Sequence, residues 1–338
     1  MGDGSPRDLV QTGDRLLVCV TTCRRLERLR AYLPPLAAFA ASESELDLLV
    51  SLDGHEADYL EFCDRWTVPL LWSEEREGVG FSKNRVLTRF PDYDFYVFLD
   101  DDVELVDGRV FREHVEAHRE TGIHHFSLFE GGRPRRPWGS TPLSRGRQVL
   151  HGLFGGGQFN FFTAEGLHRV GGWHPLFARY RRWGHTEHSY RFLRAGLAPA
   201  PFNAIPALED RCIWHYPEAV TADASVAVTE DDITEMEQEL IDEELQHVPL
   251  TTGAPFHFNE VPWEGVRKLG ERWSPDDLYP LLSTEDRRRK QAEREAWKAL
   301  RADGFVRRWL HLGRAAVQAP GSPAVRHAVK RSLGLVQS

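Results

Sequence analysis

The sequence predicts an α/β fold, a mostly parallel sheet flanked by helices. Three observations predict it. Short apolar runs alternate with stretches of helical length over the first hundred residues. Three of those runs end in chemistry-bearing residues, at Thr21 to Arg24, Asp53-Gly54 and Asp100 to Asp102. The run Phe95 to Leu99, apolar throughout, stops abruptly in the three aspartates. In open parallel sheets ligands sit outside the carboxyl ends of the strands, so these ends should converge on one site.

The elements follow in order. Residues Met1 to Asp14 are polar and Gly-rich and are expected to fray. Arg15 to Thr22 reads as a first buried strand. Cys23-Arg24-Arg25 turns the chain into a helix carrying Leu26, Leu29, Tyr32 and Leu33, with Pro34-Pro35 as its expected stop. Leu46 to Leu52 is a second strand, Glu56 to Arg65 a helix, and Val68 to Trp72 a short third strand. Gly78 opens a helix through about Arg89, and the strand into the aspartates comes fourth. From about Phe126 the pattern changes. Gly131 to Arg147, rich in Gly, Pro and Arg, reads as a long mobile loop. Its Arg133, Arg135, Arg136, Arg145 and Arg147 either contact phosphate or an acidic acceptor, or are simply solvated. After Gly155-Gly156-Gly157-Gln158 comes a helix from Ala164 to Val170, then the turn Gly171-Gly172-Trp173. A further helix spans Trp183 to Gly196, stopped by the glycine. Ile205 to Trp214 offers enough chain for a strand pair.

Three carboxylates at the end of a buried strand repel one another and are costly to desolvate. A hard divalent cation, Mg²⁺ or Mn²⁺, offsets that cost and bridges carboxylates to phosphate. Asp100 and Asp102 are the pair expected to face such a site, since side chains two apart on an extended segment point the same way. The plain alternative is a solvated acidic turn with a helix-capping aspartate. The convergence of strand ends favours a site.

Bulk properties bound the partners. The chain has 338 residues and a net charge of −9, which argues against nucleic acid as its main partner. No N-terminal apolar leader is present, and no apolar run approaches the ~18 residues that span a bilayer. The four cysteines, Cys19, Cys23, Cys63 and Cys212, have neither zinc-like nor disulfide-framework spacing. A reducing, cytoplasmic setting is the simplest expectation.

These pieces, in this order, resemble a GT-A-fold glycosyltransferase of the family-2 type, over about Arg15 to His215. Gly80, Asn84 and Arg85 resemble the family's Gly/Asn/Arg stretch before the fourth strand. Phe98 to Asp102 resembles its D-x-D end, and Gly171-Gly172-Trp173 its "GGF" turn. Ser189 to Gly196 resembles the helix after its acidic catalytic motif. The resemblance implies a Rossmann-like domain at 15–218 and an inverting transfer from a nucleoside-diphosphate sugar, a UDP-sugar first, to a hydroxyl acceptor. It implies Mn²⁺ or Mg²⁺ at Asp100 and Asp102, with His215 completing the shell; a core histidine is the alternative there. It places Thr21, Arg24 and Asp101 along the nucleotide and Asp53 on its base, although Asp53-Gly54 also makes an ordinary turn. Lys83 and Arg85 would either reach phosphate or pack as charges.

The sequence departs from the family at the base. Aligning on Arg191 puts Gly184-His185 where a Glu-Asp pair is usual, with Glu187 at a later acid. Glu187 or His185 could deprotonate the acceptor if its pKa is tuned. Equally, Glu187 and Arg191, four apart, could form a helix pair, and His185 could line the pocket. Trp138, Trp173 and Trp183 could stack on a sugar face or serve as packing.

Residues 219–338 read as a largely helical extension. Asp231 to Glu244 is an acidic amphipathic helix; Trp263, Trp273 and Tyr279 lie among prolines; Arg287 to Arg331 is basic and helical. Thr284 to Ser338 holds 13 Lys and Arg against 5 Asp and Glu. Such a tail fits peripheral docking on anionic lipid, pairing with the acidic segment, or contact between subunits. Packed helices with solvated charges account for it as well. Two other classes have sequence requirements of their own. A nucleotidyltransferase would want a Gly-rich phosphate loop after the first strand, which Val20 to Arg25 lacks. A degenerate nucleotide- or glycan-binding module would retain the fold without the base.

Overall fold

The computed structural model describes residues 14–128, 134–180, 184–215 and 247–259, all within one compact unit, Met1–Arg272. The acidic segment, Trp263, Trp273, Tyr279 and the basic stretch lie outside the described residues, as do Arg133 and Trp183, and so do the side chains of Arg135 and Arg136.

The core is a seven-stranded sheet. β1 (Leu16–Thr22) pairs in parallel with β2 (Leu46–Leu52) on one side and β4 (Phe95–Asp100) on the other. β3 (Leu70–Ser73) continues the parallel set beyond β2. Every residue of β1 and β2 is buried, as expected for strands covered on both faces. Antiparallel strands close the edges. β9 (Phe159–Thr163) runs against β4, β6 (His125–Leu128) against β9, and β12 (Phe256–Asn259) against β3. β3, β2, β1, β4 and β6 therefore share one direction, so the sheet is mostly parallel.

The helices expected from the sequence are present, one of them corrected, and two more, at Arg109–Thr121 and Pro175–Tyr180, were not expected. α1 (Leu26–Ser42) runs through Pro34 and Pro35 instead of stopping there. A proline inside a helix costs a hydrogen bond and a clash. Here the two prolines lie in a buried stripe with Leu29, Leu33, Leu36 and Ala37, and that burial against the sheet offsets the cost. α2 (Ala57–Arg65) and α3 (Val79–Arg89) match their predicted spans closely. The second correction is the expected loop Gly131 to Arg147. β7 (Arg135–Pro142) pairs antiparallel with β8 (Gln148–Phe154), joined through a short 3₁₀ turn at Ser144–Gly146, and β10 (Phe202–Ala204) completes a small second sheet. Arg147 is bound to Glu113 at 2.6 Å on α4 (Arg109–Thr121).

β5 (Val103–Leu105), directly after the aspartates, pairs with β11 (Cys212–Trp214). α5 (Ala164–Val170), α6 (Pro175–Tyr180) and α7 (Gly184–Arg194) frame the Gly171-Gly172-Trp173 turn. Behind that turn Phe98, Phe162 and Trp173 form an edge-to-face aromatic cluster with centroids 5.2–6.2 Å apart, an arrangement that locks ring positions.

The boundary at 218 does not divide the sheet. Residues 247–259, assigned to the extension, supply β12 and strap the site from behind. The Asn84 amide donates to Thr251 O (2.9 Å), Arg85 Nε donates to Thr252 O (2.8 Å), and Gly172 N donates to Val248 O (2.9 Å). Gly171, at φ +75°, packs so tightly there that an added Cβ would sit 1.8 Å from Val248 O. No described helix is long and apolar enough to cross a membrane.

Candidate active site

The carboxyl ends of β1, β2 and β4 open into one cavity of about 700 Å³, lined also by α3, the Gly157-Gln158 turn and the start of α7. Three strand ends thus meet as the pattern predicts. The chain leaves β4 at Asp100 and turns through Asp101 and Asp102 before β5. The alternation argument for Asp100 and Asp102 applies only to an extended segment. Here all three carboxylates line the cavity.

Each aspartate has different company. Asp100 Oδ1 accepts from Thr21 Oγ1 (2.9 Å) and lies 3.5 Å from Lys83 Nζ. Lys83 projects from α3 across the Trp173 ring, 5.4 Å from its centroid, and is almost fully buried. Asp101 accepts from Thr22 Oγ1 and from Arg25 Nη1, both at 2.8 Å. Asp102 Oδ1 is buried with no hydrogen-bond partner among the described residues. Burial, followed by the neighbouring Asp100 and Asp101 carboxylates, pushes Asp102 up to about 7.

That donor set fits a hard cation. A divalent ion would satisfy the orphaned Asp102 oxygen and offset the mutual repulsion. It would take the rest of its shell from phosphate oxygens and water, as Mg²⁺ commonly does. The protein offers no fuller cage: among the described residues no group of three or more His, Cys, Asp or Glu is placed to hold a metal. His215, expected as a further ligand, is corrected. Its Nε2 donates to the buried Glu104 Oε2 (2.7 Å) and its ring stacks on Tyr32 at 4.6 Å. Only its backbone reaches the cluster, where His215 N donates to Asp102 O (2.8 Å).

The remaining sequence candidates divide sharply. Thr21 and Lys83 line the cavity. Asp53 lines it too, yet its carboxylate already accepts from Glu77 N (2.7 Å) and Gly78 N (2.9 Å), capping the start of α3. This long-range role is neither the base contact nor the local Asp-Gly turn expected of it, and a base contact would have to share the same oxygens. Arg24 is corrected: it is exposed, at φ +54°, and outside the cavity lining, while Arg25 beside it lines the cavity. Arg85 is corrected as well. It is fully buried and spent on Thr252 O, Ser73 Oγ (2.7 Å) and Glu77.

The two candidate bases separate in the same way. Glu187 does not line the cavity. Its oxygens accept from Arg191 Nε (2.7 Å) and Nη2 (2.9 Å) in a buried, bidentate pair. Arg191 also donates to Val170 O and Gly172 O, tying α7 to the Gly171-Gly172 turn. The helix-pair reading is the one the structure shows. His185 lines the cavity. Burial, reinforced by Lys83, pushes it down to about 4, and its ring is hydrogen-bonded to the Gly155 carbonyl. That bond fixes one N–H and leaves the lone pair on the other nitrogen. Gly157 makes room for the ring, since a Cβ there would sit 2.6 Å from His185 Cγ.

Sequence reasoning passed over Arg25, Arg76 and Gln158. Arg76 lines the cavity by lying across Gly54, whose absent Cβ would meet Arg76 Cγ at 2.7 Å. A lone cation in the acidic run Glu74-Glu75-Arg76-Glu77 was the available signal. Choosing Arg25 over Arg24 depends on the phase of a turn, which spacing does not carry.

No protein-family model matches the chain, and no curated protein matches it. Among solved structures it is similar to a mannosyltransferase from Pyrobaculum calidifontis in complex with GDP-Man and Mn²⁺. That similarity has 15% identity over 94% of this chain and 87% of that one, with a TM-score of 0.47. It is also similar to TarS of S. aureus in complex with UDP-GlcNAc, with 12% identity over 96% and 93% of the two chains and a TM-score of 0.49. At these values the likeness assigns no reaction, and the cavity's own chemistry carries the functional reading.

Proposed function

We propose that this chain is a glycosyltransferase of the GT-A, family-2-like type. In this reading it moves a sugar from a nucleoside diphosphate to a hydroxyl acceptor with inversion. One observation carries it: three aspartates, one with an orphaned buried oxygen, share a strand-end cavity with Lys83, Arg25 and Arg76. Such a mixed set suits a ligand that brings both negative phosphates and a cation. The ordered motifs around it support the same family.

Asp102 and Asp100 would hold Mn²⁺ or Mg²⁺, which would neutralise charge developing on the diphosphate leaving group. The chain's own cations assist. Lys83 and Arg76, which line the cavity, would meet phosphate oxygens, and Arg25 would reach the same wall while holding Asp101. The acceptor oxygen attacks the anomeric carbon from the side opposite the phosphate. The bond to phosphate breaks with its electrons, and the acceptor proton passes to His185. His185 is neutral and lines the cavity, although burial holds it at about 4 and makes it a weak base; the Glu187 carboxylate is committed to Arg191 and does not line the cavity. Inversion follows from single in-line displacement and needs no covalent nucleophile.

Calorimetric titration of UDP, GDP, ADP and TDP, with and without Mn²⁺, tests the reading. One nucleotide should bind with Mn²⁺, and Asp102→Ala should weaken that binding at least about 10- to 100-fold while the protein stays folded. If no nucleotide binds under either condition, the transferase reading falls and a glycan-binding module takes its place.

A further inference from the structure

Tyr59, on α2, belongs to none of the motifs above, yet it is completely buried beneath the acidic cluster. Its Oη accepts from Arg25 N at 2.7 Å and lies 3.3 Å from Thr22 Oγ1. The proton directions follow from the partners. A carboxylate only accepts, so Thr22 Oγ1 spends its single proton on Asp101 Oδ2 (2.8 Å). The contact between Tyr59 and Thr22 must then be donated by Tyr59. Arg25 Nη1 donates to the other oxygen, Asp101 Oδ1, at 2.8 Å. The result is a closed ring: Arg25 backbone to Tyr59, Tyr59 to Thr22, Thr22 to Asp101, and Asp101 back to the Arg25 side chain.

We propose that Tyr59 is a positioning residue for the cavity, its hydroxyl closing a hydrogen-bonded ring that clamps Asp101 and thereby sets the carboxylates on either side of it. Two further observations agree with this assignment. Arg24, immediately before the ring, holds a left-handed φ of +54° that a non-glycine residue adopts only under constraint from its surroundings. The Tyr59 bond to Arg25 N is such a constraint, made at the turn where Arg25 rather than Arg24 lines the cavity. Burial also pushes the Tyr59 phenol up to about 12, so the donated proton stays in place.

The ring accounts for the division of labour among the aspartates. Asp101, with both oxygens taken, is the fixed member. Asp100 and Asp102 are left to face the donor. Loss of the Tyr59 hydroxyl should free Thr22 to rotate and loosen the turn at Asp101, without removing any group that touches substrate.

Tyr59→Phe tests this, with Tyr93→Phe as its control. Tyr93 also gives its hydroxyl to a buried aspartate, Asp47 Oδ2 at 2.7 Å, but lies at the amino-terminal side of β4, away from the cavity. In the absence of any nucleotide, amide hydrogen exchange should quicken about tenfold at Arg25 and Asp101 in Tyr59→Phe, and at neither in Tyr93→Phe. Thr22→Val, which cuts the ring from its other side, should reproduce the pattern should Tyr59→Phe fold poorly. Faster exchange at Arg25 with none at Asp101 would overturn the proposal, because the ring would then transmit nothing. The binding arm rests on the transferase reading. Mn²⁺-dependent nucleotide affinity should fall up to about tenfold in Tyr59→Phe, and the effects of Tyr59→Phe and Thr22→Val should not add. Unchanged affinity in Tyr59→Phe sinks the proposal. A wild-type protein that binds no nucleotide sinks the transferase reading instead, and the exchange result then decides the role of Tyr59 alone.

Discussion

At the scale of single residues, Glu187 and His185 take different roles from neighbouring positions on one helix. Both sit two residues apart at the start of α7, and both carry groups able to take a proton. Glu187 is drawn into a buried pair with Arg191, and His185 is turned to the cavity. Removing one partner of a buried pair leaves an uncompensated charge, so Glu187→Ala should destabilise the fold by about 3–5 kcal/mol. Denaturant midpoints would show it, while turnover by the fraction still folded should persist. His185→Ala should do the reverse, lowering kcat by about 10²- to 10⁴-fold with little change in midpoint. If Glu187→Ala is stable and inactive, the roles assigned to the two residues are exchanged. His215 carries the same lesson. Its side chain answers to Glu104 and Tyr32, neither of which is near it in sequence.

At the scale of elements, the strap 247–259 was invisible to pattern reading because it is short and lies far from its partners along the chain. Its anchors stood in the sequence, Asn84 only as part of the resemblance and Arg85 with packing as one of its two expected roles. Asn84 and Arg85, singled out by the family motif, hold backbone rather than substrate. The Asn84 side chain accepts from Trp173 N (2.7 Å) and donates to Trp173 O and Thr251 O (both 2.9 Å). Asn84→Ala therefore unfastens the strap and the aromatic wall of the cavity together. A loss on the order of 2–4 kcal/mol is expected from three buried bonds, with new protease cleavage inside 247–259. An unchanged melting temperature with no new cleavage would show that other contacts hold the segment. The parallel strands were legible because burial on both faces leaves continuous apolar runs. The β7–β8 hairpin was not, because its Gly, Pro and Arg content matches loop chemistry and only cross-strand pairing makes it a sheet. α1 shows the converse, a proline stop overridden by tertiary burial.

At the scale of the whole molecule, histidines buried in the core link the fold to pH. His114 and His125 are fully buried among aromatic rings, and burial pushes both down to about 4; His188, stacked on Trp173 at 4.3 Å, is shifted the same way. In the unfolded chain these groups protonate near 6.5. Between 6.5 and 4 the unfolded state binds more protons at these histidines and at His185, which outnumber the raised carboxylates Asp101 and Asp102 that act in the opposite sense, so stability rises with pH across that window. It is complete above about 6.5 and is lost as pH falls towards 4, by about 3 kcal/mol for each of His114 and His125. Urea midpoints at pH 7.5, 6 and 5 should fall steadily, and His114→Phe should flatten the trend. A midpoint unchanged down to pH 5 would contradict this.

The sequence by itself determined the α/β class, the order of the first four strands along the chain and the convergence of three strand ends on one cavity. Those follow from local hydrophobic pattern and from the rule that parallel strands present their carboxyl ends together. Only the tertiary structure decided which candidates serve the cavity. It set Arg25 over Arg24, His185 over Glu187, and gave Arg85 and His215 to the scaffold. A side chain's role depends on which buried partner reaches it first. Spacing records one of those partners, Arg191, four residues on from Glu187 in the same helix; Glu104, Thr252 and Tyr59 come from distant elements whose approach it does not record.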